Sequence, residues 1–219
     1  MTTTITVGGL TTDLSHANTL ASEYMNQYGS WSYPAYDSYQ GNGERDTVGP
    51  QDTLAVALLN AGQNPVGTQY TFLGLLDEIN VLLRDGSLTG TLDEAGPETL
   101  EAIARLYGVL DGKRNPNVRL TKLSKALHLK RPQLLPLYDK NIWQCYGELG
   151  KIRVASIKGR NNADFMRAWL PEVQKDLRDG MEHWRAMAAL APGPTVSPLR
   201  VLDIVGWRLA DEARRGCRH

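Results

Sequence analysis

Apolar residues recur along most of this chain at the three- and four-residue spacing of a helix face. Leu73, Leu76, Ile79 and Leu83 form one such stripe, and Gly86 follows as its stop. Pro97 suits a first helical position, and Leu100, Ile103, Leu106 and Leu110 continue from it. Phe165, Trp169, Val173, Leu177, Met181 and Trp184 mark a long helix, or a pair kinked around Pro171 and Gly180. A rigid connector, Ala191 to Pro198, leads to a last helix carrying Val201, Leu202, Val205 and Leu209. Strand-like alternation is almost absent. Ile5 and Val7 predict one short strand, ahead of a helix over Asp13 to Gln27 capped by Asp13 or Ser15. Pro50-Gln51-Asp52 opens a short apolar run through Leu59. The pattern predicts a mostly α fold: a single two-lobed helical domain with a short irregular or β N-terminal segment, its 161–219 helices packing back on the N-terminal lobe.

Two stretches stand apart from this pattern. Within the N-terminal segment, residues 1–50, an aromatic and glycine-rich run holds Tyr28, Trp31, Tyr33, Tyr36 and Tyr39, ending at Gly41 and Gly43. Gly and Pro interrupt regular structure there while the rings supply packing area, so an ordered loop is expected. The second stretch runs from Leu110 to Trp143. A turn-rich piece, Asp111 to Asn117, precedes a helix over about Val118 to Lys130. On that helix Leu120, Leu123 and Leu127 share one side, with Ala126 at its edge; Arg119, Lys122 and Lys125 share the other. A turn before a helix leaves amide N–H groups unsatisfied, which is a natural anion site. Pro136-Leu137-Tyr138-Asp139 then leads into a helix striped by Ile142, Trp143, Tyr146 and Leu149. Asp139 is placed as its N-cap, a position that also fixes the direction of the carboxylate.

Charge sharpens the picture of this second stretch. The net charge is zero, yet residues 1–110 carry 3 Lys/Arg against 13 Asp/Glu, and residues 111–219 carry 21 against 11. Within 111–160 there are 12 basic side chains and 3 acidic ones, interleaved with turn residues and apolar anchors as in modules that bind a phosphate backbone. Other classes recede. Cys145 and Cys217 are the only cysteines, and His16, His128, His183 and His219 are scattered, so no structural metal or cofactor is expected and the thiols are expected to be reduced. No apolar run approaches the roughly 18 residues of a membrane helix, and MTTTITVGG is not a secretory signal; a cytoplasmic protein without a membrane partner is expected.

The order of parts between residues 100 and 150 resembles the helix-hairpin-helix DNA glycosylase superfamily. Leu110-Asp111-Gly112 looks like the start of the hairpin, Thr121 to Leu127 like its second helix, and Pro136 to Trp143 like the loop bearing the catalytic aspartate. The stretch Lys125 to Asp139 also resembles uncharacterised actinobacterial proteins near that superfamily. The resemblance implies a two-lobed helix-hairpin-helix glycosylase-like fold, with Asp139 as catalytic residue and Gly112, Lys113, Arg114, Asn115, Arg119, Lys122 and Lys125 on the DNA. There are departures. The hairpin lacks the family's second glycine and is lengthened by Lys113 to Asn117. Leu120 stands where bifunctional members carry a Schiff-base lysine, and cluster-binding cysteines are absent. The implied enzyme is therefore monofunctional.

Such an enzyme hydrolyses the bond between base and deoxyribose. A fixed carboxylate stabilises the cationic sugar and aligns water, after the base has been swung out of the duplex between aromatic or apolar walls. Tyr138 and Trp143 flank Asp139, and Trp31, Tyr33 and Tyr36 are the candidate pocket wall; Trp143 equally fits a core position on its stripe. Several rings beside polar groups suit a bulky, alkylated or glucosylated base. Base excision repair and defence against phage with modified DNA both remain open. Asp37 and Asp52 are expected as caps rather than catalysts. The expected partner is double-stranded DNA bound by a monomer. Two alternatives stand beside this: a non-catalytic DNA-binding helix-hairpin-helix protein, and an interaction protein whose acidic half masks its basic centre.

Overall fold

Alternation in Thr4-Ile5-Thr6-Val7 puts both apolar side chains on one face. This segment is strand β1 (Thr4–Val7) of the computed structural model, which describes residues 3–27, 29–111, 115–152 and 161–216. It pairs antiparallel with β2 (Leu10–Asp13), Val7 opposite Leu10 and Thr4 opposite Asp13. Gly8 and Gly9 form the turn. Gly8 has φ +60°, and a Cβ there would fall 2.4 Å from the Cys145 carbonyl oxygen, so both the turn and its docking call for glycine. Because Asp13 ends β2, helix α1 is Leu14–Asn26 and Asp13 makes no side-chain cap.

Most regular structure in the remainder is helical, as the periodicity predicts, and 29–49 forms the expected loop. Ten α-helices are seen among the described residues: after α1 come α2 (Leu54–Leu58), α3 (Pro65–Leu73), α4 (Leu76–Leu83), α5 (Pro97–Tyr107), α6 (Leu120–His128), α7 (Lys140–Trp143), α8 (Asn162–Asp179), α9 (Met181–Ala188) and α10 (Pro198–Gly216). The expected stripe from Leu73 to Leu83 is divided between α3 and α4. Its face turns at Gly74, leaving Leu73 exposed and Leu75 buried. Helix α8 runs unbroken through Pro171 and stops at Gly180, where a Cβ would meet Trp184 Nε1 at 2.7 Å. Helix α7 continues as a wider π turn over Gln144–Leu149, which carries Leu149 out of the Ile142–Tyr146 face and into solvent.

Helix α5 packs on α8, and α10 packs on α1, α7 and α9. Gly206 is where α10 comes closest: a Cβ would lie 2.7 Å from Val7 Cγ1, and the Cys145 thiol donates to its carbonyl at 3.3 Å. Phe165 and Trp169 stack at 5.6 Å, and Tyr138 meets both edge-on, at 5.2 and 5.6 Å. Among the described residues no helix is long and apolar enough to cross a membrane.

Candidate active site

The loop between α6 and α7 is held from several sides. Ser124 Oγ donates to the Tyr138 carbonyl at 3.2 Å and accepts from the Tyr138 amide at 3.1 Å. The Tyr107 hydroxyl donates to the Pro136 carbonyl at 2.7 Å. Asp139 then closes the loop as the N-cap of α7: its Oδ1 accepts from the amides of Asn141 (2.8 Å) and Ile142 (3.1 Å). Asn141 Nδ2 ties the same turn to the Trp207 carbonyl of α10 at 3.0 Å. Both donors reach one oxygen, so the carboxylate is fixed in direction while Oδ2 accepts no hydrogen bond from the described residues.

Asp139 lines a cavity of about 370 Å³, within the range of small-molecule sites. Tyr24, Trp31, Trp207 and Tyr138 supply its aromatic surface, and Lys125, Lys140, Arg200 and Asp203 add charge to that of Asp139. Trp31 is held from three directions: stacked on Tyr24 at 5.4 Å, edge-on to Trp207 at 5.6 Å, and covered by the Arg208 guanidinium at 5.0 Å. Arg200 is buried. It engages Asp37 through Nε at 2.8 Å and Asp203 through Nη1 at 2.6 Å, with the rings of Tyr24 and Tyr36 against its guanidinium. Burial pushes the Asp203 carboxyl up to about 6; Arg200 opposes the rise and Asp139 adds to it. Burial also holds the Lys125 ammonium below the ordinary lysine range, partly offset by Asp139 and Asp203. A larger cleft of about 880 Å³ shares Arg200 as a wall, but its buried charges, Lys130 and Asp37, are already paired inside the protein.

The expected site residues divide. Asp139, Tyr138, Trp31 and Lys125 meet in the cavity. Trp143 does not: its ring packs on Phe165 at 5.7 Å and under Gly147, in the core position its stripe also allowed. Tyr33 is buried away from the cavity, its hydroxyl accepting from the Gly193 amide at 2.8 Å and donating to the Pro194 carbonyl at 3.2 Å. Tyr36 is buried as well. It donates to the Lys125 carbonyl at 2.8 Å and stacks on His128, so it supports wall residues without being one. Asp52 caps the turn at 50–53 as expected, through the Gly49 amide at 2.6 Å, while Asp37 serves Arg200 instead of a helix end.

The face of α6 assigned to phosphate is largely covered. Lys122 Nζ donates to the Gln63 carbonyl and Thr68 Oγ1, both at 2.6 Å, and Lys125, 7% exposed, donates to the Leu59 carbonyl. Helix α2 and the loop after it lie over this face; the long stems are buried and the ammonium groups end on carbonyls. Arg119 stays exposed, and Asn115 is bonded to the Leu110 carbonyl at 3.4 Å. Gly112, Lys113 and Arg114 lie outside the described residues. Asp111, the expected hairpin start, caps α8 from across the fold, accepting from the Asn162 amide (2.7 Å), its side chain (2.6 Å) and the Ala163 amide (3.1 Å).

A family model described as a family of unknown function, DUF6308, matches residues 17–210. The chain belongs to this family. The span of this DUF6308 protein that matches takes in the whole cavity wall, from Tyr24 on α1 to Trp207 on α10. No curated protein and no solved structure shows significant similarity to the chain.

Tyr24, Arg200, Asp203 and Trp207 escaped the sequence reading. On α10 a signal was present: Arg200, Asp203, Ile204 and Trp207 follow the i, i+3, i+4, i+7 spacing of one face, beside the apolar stripe. Nothing local marks Tyr24, which joins the site only because α1 packs on α10.

Proposed function

We propose that this protein is a monofunctional DNA glycosylase, hydrolysing the bond between a modified base and its deoxyribose to leave an abasic site. The observation that carries the reading is Asp139: a carboxylate held by two helix amides, with one oxygen that accepts no hydrogen bond from the described residues, on the wall of an aromatic-lined cavity. Such a cavity suits a base turned out of its stack, its faces against Trp31 and Tyr138. As the base–sugar bond lengthens, positive charge grows on the sugar, and Asp139 stabilises it and receives the proton of the attacking water. The resemblance of residues 100–150 to helix-hairpin-helix glycosylases supports the same assignment. Lys125, held to the Leu59 carbonyl, adds positive potential to the wall and is not needed as a nucleophile.

The experiment is incubation with duplexes carrying a panel of damaged and modified bases, followed by alkali cleavage of abasic sites and mass spectrometry of released base. Asp139→Asn should lower release by about 100-fold or more, the scale of one lost charge-stabilising group. Undiminished release from that variant would remove Asp139 from the role. Binding of every duplex with release from none would instead favour the non-catalytic DNA-binding reading.

A further inference from the structure

A base whose faces are stacked still has polar edge atoms, and burying them unpaired is costly. The cavity wall must therefore supply partners of its own. Arg200 and Asp203 bond to each other, the Tyr24 and Ser32 hydroxyls join at 2.5 Å, and Lys125 is held on the Leu59 carbonyl. Lys140 and the Trp207 indole only donate, while Thr121 and Tyr138 each carry a single hydroxyl. Among these side chains only a carboxamide sets a donor beside an acceptor, the pattern found on a base edge. Two carboxamides line the cavity, Asn60 and Gln63, both on the loop between α2 and α3. Neither has a side-chain partner among the described residues.

That loop is fixed at both ends. Lys125 donates to its Leu59 carbonyl, and Lys122 to its Gln63 carbonyl at 2.6 Å. The Asn60 amide bonds back to the Ala57 carbonyl at 3.0 Å and the Ala61 amide to that of Val56 at 2.9 Å. These bonds close α2 with Asn60 in the left-handed region, at φ +57°, a position that glycine serves best. Asn64, also left-handed at φ +51°, has a structural task. Its side chain accepts from the Gly67 amide at 3.1 Å and donates to Asn117 Oδ1 at 2.9 Å. Asn60 has no such task, and it stands exposed at the cavity rim. With one rotatable bond fewer than Gln63, it loses less side-chain entropy on pairing. Resting on the glycosylase reading, we propose that Asn60 is the specificity residue of the site. Its carboxamide reads an adjacent donor and acceptor on the pairing edge of the flipped base. The substrate class is therefore a base modified away from that edge, with the edge itself left free.

The test is single-turnover release of each base that wild type frees from the panel, 5-hydroxymethyluracil and 8-oxoguanine among those offered. Each is compared with the same base methylated on the ring nitrogen of its pairing edge. Such a methyl weakens pairing and eases flipping, so slower release reports the cavity and not the duplex. Wild type should release the methylated forms at least about 10-fold more slowly. Asn60→Gly should lose about 10-fold on the free-edged bases and no longer distinguish the two forms. Its urea midpoint should stay close to that of wild type, since glycine suits φ +57°. Gln63→Ala should keep the wild-type discrimination. Discrimination retained in Asn60→Gly would overturn the assignment, whatever Gln63→Ala does. Wild-type release of both forms at equal rates would overturn it even where the variant fails to fold. Release only of bases alkylated on that edge, such as 1-methyladenine, would do the same. In each of these cases the glycosylase reading stands. No release from any duplex would overturn both.

Discussion

At the scale of single residues, identical side chains behave differently because their surroundings differ. Asp52 is fully buried and paired with Lys130 at 2.7 Å, Asp139 caps a helix beside a cavity, and Asp203 shares a guanidinium with Asp37. His128 shows the same principle with a measurable consequence. Its Nδ1–H donates to the Leu135 carbonyl at 2.7 Å and its ring stacks on Tyr36. Burial, helped by Arg200, lowers its pKa from 6.5 to about 4, against the smaller opposing effects of the Leu135 carbonyl and Asp37. Between those two values the unfolded chain binds more protons than the folded one, so stability falls as pH falls, by about 3 kcal/mol over the whole window. Asp203 works in the opposite sense, since its raised carboxyl makes the folded state the better proton binder below about 6. Comparing wild type with His128→Asn isolates the histidine. In urea titrations the stability advantage of wild type over this variant should shrink from pH 7 towards about pH 4.5. A difference that stays constant over that range would show that His128 does not titrate as its burial requires.

At the scale of elements, the ends of helices organise the fold more than their faces do. Asp111 occupies the start of α8 with three hydrogen bonds, and Asn161 adds its own cap through the Asp164 amide at 3.0 Å. The amides that open α8 are therefore already satisfied by a protein carboxylate. Asp111→Ala should cost about 1–2 kcal/mol, as for the loss of a strong cap, read as a lower urea midpoint with an unchanged slope. Asp139 differs because it caps its helix and still faces open space. A cap can be expected from sequence, since Asp before an apolar run is its signature; whether the second oxygen is covered depends on what packs above it.

At the scale of the whole molecule, the opposite charges of the two halves meet inside the fold. Lys130 pairs with Asp52, Arg131 with Asp46, Arg200 with Asp37, and Arg208 with Glu23. Two of the basic residues of the central stretch, Lys130 and Arg131, are used in this way. Among the described residues of that stretch Arg119, Lys140 and Lys151 are exposed, Lys140 at the cavity itself. If duplex DNA is the partner, Arg119 and Lys140 are among its phosphate contacts. Arg119→Ala and Lys140→Ala should each lower the slope of log affinity against log salt by about 1, whereas Lys122→Ala, whose amine is used internally, should leave the slope unchanged. Fluorescence anisotropy across a salt series reads this directly, and wild-type slopes in both exposed-site variants would remove them from the interface.

What the chain determines by itself is local. Helical periodicity placed α5 and α10, Pro97 and Gly180 marked ends, and Asp139 was recognisable as a cap, because each depends on residues within a turn or two. Threonine-rich β2 was missed, since Thr11 and Thr12 become a strand only through pairing with β1. Tertiary structure decided the rest. It sent Tyr33 and Tyr36 inward, packed half-buried Trp143 against the core, closed α2 over Lys122 and Lys125, and brought Tyr24, Trp31, Asp139 and Asp203 to one cavity from segments far apart in the chain. Burial, shared hydrogen-bond partners and the sum of nearby charges are properties of that assembly. No spacing along the sequence encodes them, because they arise only when α1 and α10 close on the loop that carries Asp139.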